Sequence, residues 1–215
     1  MQVNLVMLGP PGAGKGTQAS RLTRLWQIPH ISTGAILREA IRAGTPLGRR
    51  VEAIIAAGGL VDDSLITEIV EQRLAQSDVA QGFLLDGFPR TVPQARVLDA
   101  MIASRGPLVV LEIALHDEDV MRRLAARMIC SECGANALDD DAACHDCGGR
   151  RVPRADDAEQ IVRRRLDVYR QQPEPLVSYY RGRPTFRRVN GAQLFDDVAA
   201  DIVKAVTEVV GVGQS

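Results

Sequence analysis

Lys15 stands in GPPGAGKGT, residues 9–17, behind a short apolar run that ends on glycine. Gly9, Gly12, Gly14 and Gly16 let the backbone turn tightly and point its N–H groups inward, as a phosphate-binding loop requires. A helix that starts at the loop adds partial positive charge at the same point. Lys15 then reaches the terminal phosphates of a nucleotide. Of the 26 basic residues in the chain, only Lys15 and Lys204 are lysines. A compact ammonium in so arginine-rich a chain suits a polyphosphate better than a bulky fork. The loop departs from the generic G-x-x-x-x-G-K-[ST] pattern: Gly16 follows Lys15, and Thr17 comes one place later. That spacing weakens a direct hydroxyl-to-magnesium contact. A bare glycine turn with an exposed lysine is the plain alternative.

A second group is the cysteines, all four within residues 130–149: Cys130-x2-Cys133, ten residues, then Cys144-x2-Cys147. Each pair turns two thiolates toward one point, and Gly134 and Gly148 follow the pairs as tight knuckles require. Four thiolates make a closed tetrahedral Zn²⁺ site with no open position, hence a structural one. Two disulfides are the alternative, and they suit a cytosolic chain poorly. His145 is a competing ligand that four cysteines make unnecessary. Asp139, Asp140 and Asp141 read as a solvated tip. The insert has few large apolar residues (Ile129, Leu138, Val152), so a metal would stand in for a core. The third candidate is Asp86 in FLLDGFPR, at a strand end where open α/β sheets bind ligands. There it would organise magnesium beside the phosphate loop, provided the two strands are neighbours.

These side chains need positioning elements. VNLVMLG, FLLDGFPR and LVVLEIAL read as buried parallel strands. The helix after the glycine loop places Ala19, Leu22, Leu25 and Trp26 along one face. Ser32 or Thr33 caps a helix with Ile36 and Ile41 facing inward; Gly44, Pro46 and Gly48 break it, and a second helix runs from about Arg49 to Ala57. Another helix begins near Thr91 with Pro93 in its first turn. The fold class expected is α/β: a P-loop three-layer parallel sheet with helices on both faces and two inserted flaps.

Composition narrows the function. With 46% hydrophobic residues the chain buries a real core, and with 4% aromatics that core is aliphatic. A net charge of −1 argues against bulk attraction to nucleic acid or an anionic membrane. The cysteine segment lacks the stacking aromatics of a nucleic-acid ribbon, although Arg150, Arg151 and Arg154 lie near it. No apolar run reaches the roughly 18 residues of a membrane span. The start, MQVNLVMLG, lacks a signal-peptide pattern, so a cytoplasmic protein is expected.

GPPGAGKGTQ, ISTG with LR, GLVDD, GFLLDGFPRT with PQA, and DDAEQIVRRRL together resemble adenylate kinase, in its zinc-lid form, along nearly the whole chain. The resemblance implies a core of residues 1–31, 62–127 and 158–215, an AMP flap of 32–61 and a zinc lid of 128–157. It implies Mg-ATP + AMP ⇌ 2 ADP, with ATP, AMP and ADP as the partners and a monomer as the working unit. It assigns Gly12, Ala13, Gly14, Lys15, Gly16, Thr17, Arg123 and Arg127 to ATP. AMP falls to Thr33, Arg38, Gly59, Val61, Gly87, Arg90, Gln94, Arg154 and Arg165. The junction falls to Lys15, Arg90, Arg123, Arg154 and Arg165, with Asp156 and Asp157 fixing the lid arginines. Taken alone, Arg38 reads as a solvated surface residue, and Arg163, Arg164 and Arg165 as a solvated helix face. Arg188 and Val189 are backbone candidates for the ATP base. Two departures stand out. Ala35 replaces the aspartate of STGD-x-LR, and the lid is short, without the Tyr-His and paired prolines between its cysteine pairs. A kinase for another nucleoside monophosphate, or a nucleotide-gated zinc protein binding RNA or a partner, are the competing readings.

Overall fold

The computed structural model describes residues 2–136, 143–145, 147–154, 157–171 and 173–212. Asp139, Asp140, Asp141, Leu138 and Asp156 lie outside them. Five strands form one parallel sheet: β1 (Val3–Leu8), β2 (His30–Ser32), β3 (Gly82–Asp86), β4 (Leu108–Ala114) and β7 (Phe186–Asn190), in the order β2-β3-β1-β4-β7. β1 is buried at every position and lies between β3 and β4. Its register pairs Met7 with Asp86, so the glycine loop and the Asp86 carboxylate leave the sheet side by side.

Alternate side chains build two cores. Val6, Leu8, Phe83, Leu85 and Val110 pack on one face with Leu37, Val51, Ile66, Leu98 and Tyr180. These belong to α2 (Thr33–Arg42), α3 (Pro46–Ala56), α4 (Asp63–Leu74), α5 (Val92–Met101) and α8 (Pro173–Arg181). Leu5, Met7, Leu84 and Leu111 pack on the other face with α1 (Lys15–Trp26) and α9 (Phe195–Val212). The α/β three-layer expectation is met. One inward position in α1 differs. Leu25 is 58% exposed, and Gln18 is buried in the stripe with Ala19 and Leu22, donating from Nε2 to the Phe195 carbonyl at 2.9 Å.

The flap differs from expectation at one end. α3 starts at Pro46, not Arg49, because proline suits a first turn and Thr45 caps it, its hydroxyl accepting from Gly48 N at 3.0 Å. Gly48 is an interior helix residue at the crossing with α2. A Cβ there would stand 2.1 Å from the Ala40 carbonyl oxygen, so the glycine permits the approach. α2 is capped by Ser32, which accepts from Ala35 N.

After α6 (Asp117–Ala125), a short antiparallel pair, β5 (Met128–Cys130) and β6 (Arg151–Pro153), forms the base of the lid, and α7 (Glu159–Gln171) follows it. Val120 and Leu124 of α6 pack on Val162 and Leu166 of α7, a small core under that base. The lid touches the rest of the molecule. Arg42 Nη1 in the flap donates to the Glu132 carbonyl at 2.5 Å, and Asn136 borders Gly16 of the loop. Among the described residues no helix is long and apolar enough to cross a membrane.

Candidate active site between the loop, flap and lid

The glycine loop turns through positive φ at Gly9, Gly12 and Gly14 and delivers the chain into α1. Lys15 folds back over it. Its Nζ donates to the carbonyls of Gly9 at 2.8 Å and Pro10 at 2.9 Å. Lys15 as a whole is partly exposed, but its ammonium is enclosed, and burial lowers its pKa to about 8. Asp86 opposes that shift, while Arg90, Arg165 and Arg127 add to it. The loop, Asp86 and three arginines from separate segments therefore share one electrostatic neighbourhood.

Asp86 caps the end of β3, with His30 Nε2 3.7 Å from its Oδ2. Burial works against its charge, yet His30, Lys15 and Arg90 outweigh it and hold the carboxyl below its usual range. It is an ionised carboxylate facing a lysine, the donor type a hard cation takes. Several polar groups stand near it. Gly87 turns through φ +86°, and the space a side chain would fill there is bounded by Thr33 Oγ1 and the Arg90 guanidinium. Arg90 donates from Nε to the Gly87 carbonyl at 2.8 Å. Arg90 is exposed overall, but the crowding of its guanidinium away from water and the nearby Arg154 weaken its hold on its proton, against Asp86. Arg38 reaches back along α2 to Gly34. Val61 is buried, and Gly59 lines a groove with Ile54, Leu60, Arg164 and Val168, between the flap and α7.

Gln94 is 3% exposed, and its carbonyl accepts from Arg90 N at 2.7 Å. Its amide donates to Asp63 Oδ1 at 2.7 Å, while Asp63 Oδ2 accepts from Thr91 Oγ1 at 2.7 Å. Reading the chain segment by segment misses Asp63 and Thr91 as site residues. The only sequence signals are an acidic helix start in GLVDD and a capping threonine before VPQ.

The lid arginines separate into two places. Arg127 makes a fork with Asp157, Nε to Oδ2 at 2.6 Å and Nη2 to Oδ1 at 2.5 Å, and Arg165 Nη1 joins Oδ1 at 3.1 Å. The Asp157 side chain is 5% exposed, so the segment just after α6 and the helix α7 are tied through a buried carboxylate. Of the Arg163–Arg165 run, Arg163 pairs with Glu159 on the surface, Arg164 lines the groove, and Arg165 turns inward. Arg123 lies apart from this group. Its Nη2 donates to the Gly191 carbonyl at 2.7 Å, beside the loop that follows Arg188 and Val189.

In the lid, the four Sγ atoms of Cys130, Cys133, Cys144 and Cys147 lie within 4.8 Å of one another. Cys130–Cys147 are 3.4 Å apart and Cys133–Cys144 3.6 Å. Thiolates about 2.3 Å from one tetrahedral ion would be spaced by about 3.8 Å, close to the separations of this set. Two matching knuckles build it: Gly134 N donates to the Cys130 carbonyl and Gly148 N to the Cys144 carbonyl. The N–H groups of Cys133 and Glu132 draw the Cys130 thiol below its usual pKa. Burial and contacts with the other sulfurs push Cys133 and Cys147 up instead, so one thiolate forms readily and a cation among the four would be needed to hold the rest ionised.

The glycine loop, the α2–α3 segment with Arg38 and the arginine-bearing segments around β5, β6 and α7 thus border one cleft. The family model for adenylate kinase matches residues 7–184. Proteins named adenylate kinase from Moorella thermoacetica and Geobacter sulfurreducens are 46% and 45% identical, with 95% of this chain and 98% of each relative covered. One from Methanothrix thermoacetophila is 42% identical over 94% of this chain and 99% of its own. With a matched segment that takes in the phosphate loop, the flap, the lid and α7, this chain belongs to the adenylate kinase family.

Proposed function

We propose that the chain transfers the terminal phosphoryl group of Mg-ATP directly to the phosphate of AMP, giving two ADP. The observation that carries this is the convergence of five segments of the chain: Arg90, Arg127 and Arg165 gather with Asp86 about Lys15, and Arg154 joins them at Arg90. Lys15 and the loop amides of Gly12, Ala13, Gly14, Gly16 and Thr17 hold the donor phosphates. Arg90, with Arg38, holds the acceptor phosphate, and Thr33, Gly59, Val61, Gly87 and Gln94 surround the acceptor nucleoside. Arg154 and Arg165 stand between the two and offset the charge on the migrating group, while Asp157 aims Arg165 and Arg127. Arg123, expected at the junction, instead donates to the Gly191 carbonyl, which supports a place for it nearer the donor nucleoside than the migrating group.

The acceptor is already an anion near neutral pH, so no general base is needed. Alignment and charge compensation carry the rate, each arginine being worth on the order of 10²-fold. Flap and lid must meet over the loop, since water would otherwise take the phosphoryl group. The contacts of Arg42 with Glu132 and of Asn136 with Gly16 support such a closure. Asp86 is the residue that would hold Mg²⁺ through water, and the ion supplies charge neutralisation on the phosphates. Ala35 removes a carboxylate from the flap, leaving Asp86 a larger share of that task. The four cysteines hold Zn²⁺ as a structural ion, and the working unit is a cytoplasmic monomer.

A coupled assay for ADP, with Mg-ATP and AMP, UMP, CMP or GMP as acceptor, tests the reading. ADP from AMP in strong preference to the others is expected. No ADP from metal-loaded protein would refute it.

A further inference from the structure

We infer that Asp63, held by Thr91, sets the orientation of the Gln94 amide and so makes the acceptor site read a 6-amino purine in preference to a 6-oxo purine. Both ends of that amide meet groups with no choice of role. The Arg90 N–H, 2.7 Å from Oε1, can only donate. The Asp63 carboxylate, 2.7 Å from Nε2, can only accept when ionised. One orientation satisfies both contacts, and the reverse one sets amide hydrogens against an N–H and a carbonyl oxygen against a carboxylate. Gln94 is too buried for water to relieve either clash.

Each end keeps one capacity unused: the carbonyl a second lone pair, the amide a second hydrogen. An acceptor beside a donor complements the 6-amino group and N1 of adenine. Guanine and hypoxanthine offer the opposite pair, a 6-carbonyl oxygen and an N1–H. To accept them, Gln94 must turn over and lose both of its fixed contacts. Asp63 does not move to accommodate that. It begins α4, and its second oxygen takes the Thr91 hydroxyl at 2.7 Å. The same hydroxyl accepts from Gln94 N at 3.3 Å as the cap of α5. Thr91 therefore fixes the partner and the backbone of Gln94 together. Asp63 is a positioning residue, acting on the base through Gln94, and the inference rests on the reading of Gln94 as a contact to the acceptor base.

The test is the ratio of kcat/KM for AMP to that for IMP, with ATP saturating, in wild type, Asp63→Asn, Thr91→Val and Gln94→Ala. The Asp63→Asn carboxamide keeps the shape but can donate to Gln94 while its oxygen keeps the Thr91 hydroxyl, so the turned-over amide loses one contact instead of two. The ratio should fall by about 10- to 100-fold in Asp63→Asn, chiefly through KM for the acceptor and with a gain for IMP. Thr91→Val should lower it by a smaller factor, and Thr91→Ser should restore it. If Asp63→Asn does not fold, Thr91→Val decides. A ratio unchanged in these variants but collapsed in Gln94→Ala overturns the inference and leaves Gln94 as the reader. Equal losses for AMP and IMP in Asp63→Asn, with lowered thermal stability, reduce Asp63 to a structural tie and also overturn it. An unchanged ratio in Gln94→Ala removes Gln94 itself from base recognition.

Discussion

Binding of Mg-ATP at pH 8 is expected to draw about half a proton from the buffer into each molecule. Lys15 is the source of the effect. Its ammonium is enclosed by the loop and faces Arg90, Arg165 and Arg127, so its pKa in the free protein lies near 8. At pH 8 about half the molecules therefore carry Lys15 neutral. A triphosphate beside the ammonium favours the charged form and returns the pKa toward 10.5. The uptake should grow to about nine-tenths of a proton at pH 9 and shrink to about a tenth at pH 7. ATP contributes nothing at pH 8, since its terminal phosphate ionises near pH 6 or so. Calorimetric titration in two buffers of different ionisation enthalpy measures the proton count. Lys15→Arg is the comparator, because a guanidinium holds its proton throughout and the uptake should vanish. The sign carries over to folding. The unfolded chain keeps this proton up to about pH 10.5 while the folded one gives it up near 8, so between those values the unfolded state binds more protons and stability rises with pH. Saturating nucleotide should abolish that rise. No uptake from pH 7 to 9, or equal uptake in Lys15→Arg, would refute the burial of the ammonium as its cause.

Three other perturbations reach separate parts of the site. Gly48→Ala puts a methyl 2.1 Å from the Ala40 carbonyl, so α2 and α3 must part; we expect about 1–3 kcal/mol lost from stability and a raised KM for AMP with ATP little affected, by denaturant unfolding and initial rates. Asp157→Ala frees Arg127 and Arg165 from their shared buried carboxylate and should lower kcat by roughly 10²-fold, and an unchanged kcat would show that the arginines are held by other means. Elemental analysis should find one Zn²⁺ per chain, and its chelation or Cys130→Ser should lower the melting temperature; absent metal with unchanged melting would leave the thiol cluster without its proposed role.

The parts of this molecule that show in its sequence are those encoded over a few consecutive residues. β1, β3 and β4 are continuous apolar runs because each is covered on both faces, and the glycine loop and the paired cysteines are local spacings. β2 has only three residues, and β7 reads FRRVN, with Val189 its one buried position, so neither carries an apolar run. Proline and glycine at 46 and 48 look like breakers. One opens α3 and the other lets it cross α2, which depends on a neighbouring helix the local pattern does not contain. The same holds for the site. Asp63 and Gln94 meet across 31 residues and Arg42 and Glu132 across 90, and a hydrogen bond at such separation leaves no period behind. Arg165 could be picked from its run only by family resemblance, because its inward turn is decided by Asp157, eight residues earlier and ahead of α7.

The charge gathered by flap, lid and loop supports the proposed two-nucleotide site. Lys15, Arg90, Arg127, Arg154 and Arg165 converge, and the carboxylates of Asp86 and Asp157 offset only part of that charge. Each added cation makes the close arrangement more costly in a site sheltered from water. Phosphates of two bound nucleotides reverse the sign of that cost, since the anions lie where the repulsion is greatest. One nucleotide supplies part of the compensation, and both together supply the most, so the fully closed arrangement is favoured when donor and acceptor are present at once. On the proposed function, the cationic cluster that would lower the barrier to transfer is most stable with both nucleotides present, which is how an enzyme with no general base would favour transfer over loss to water.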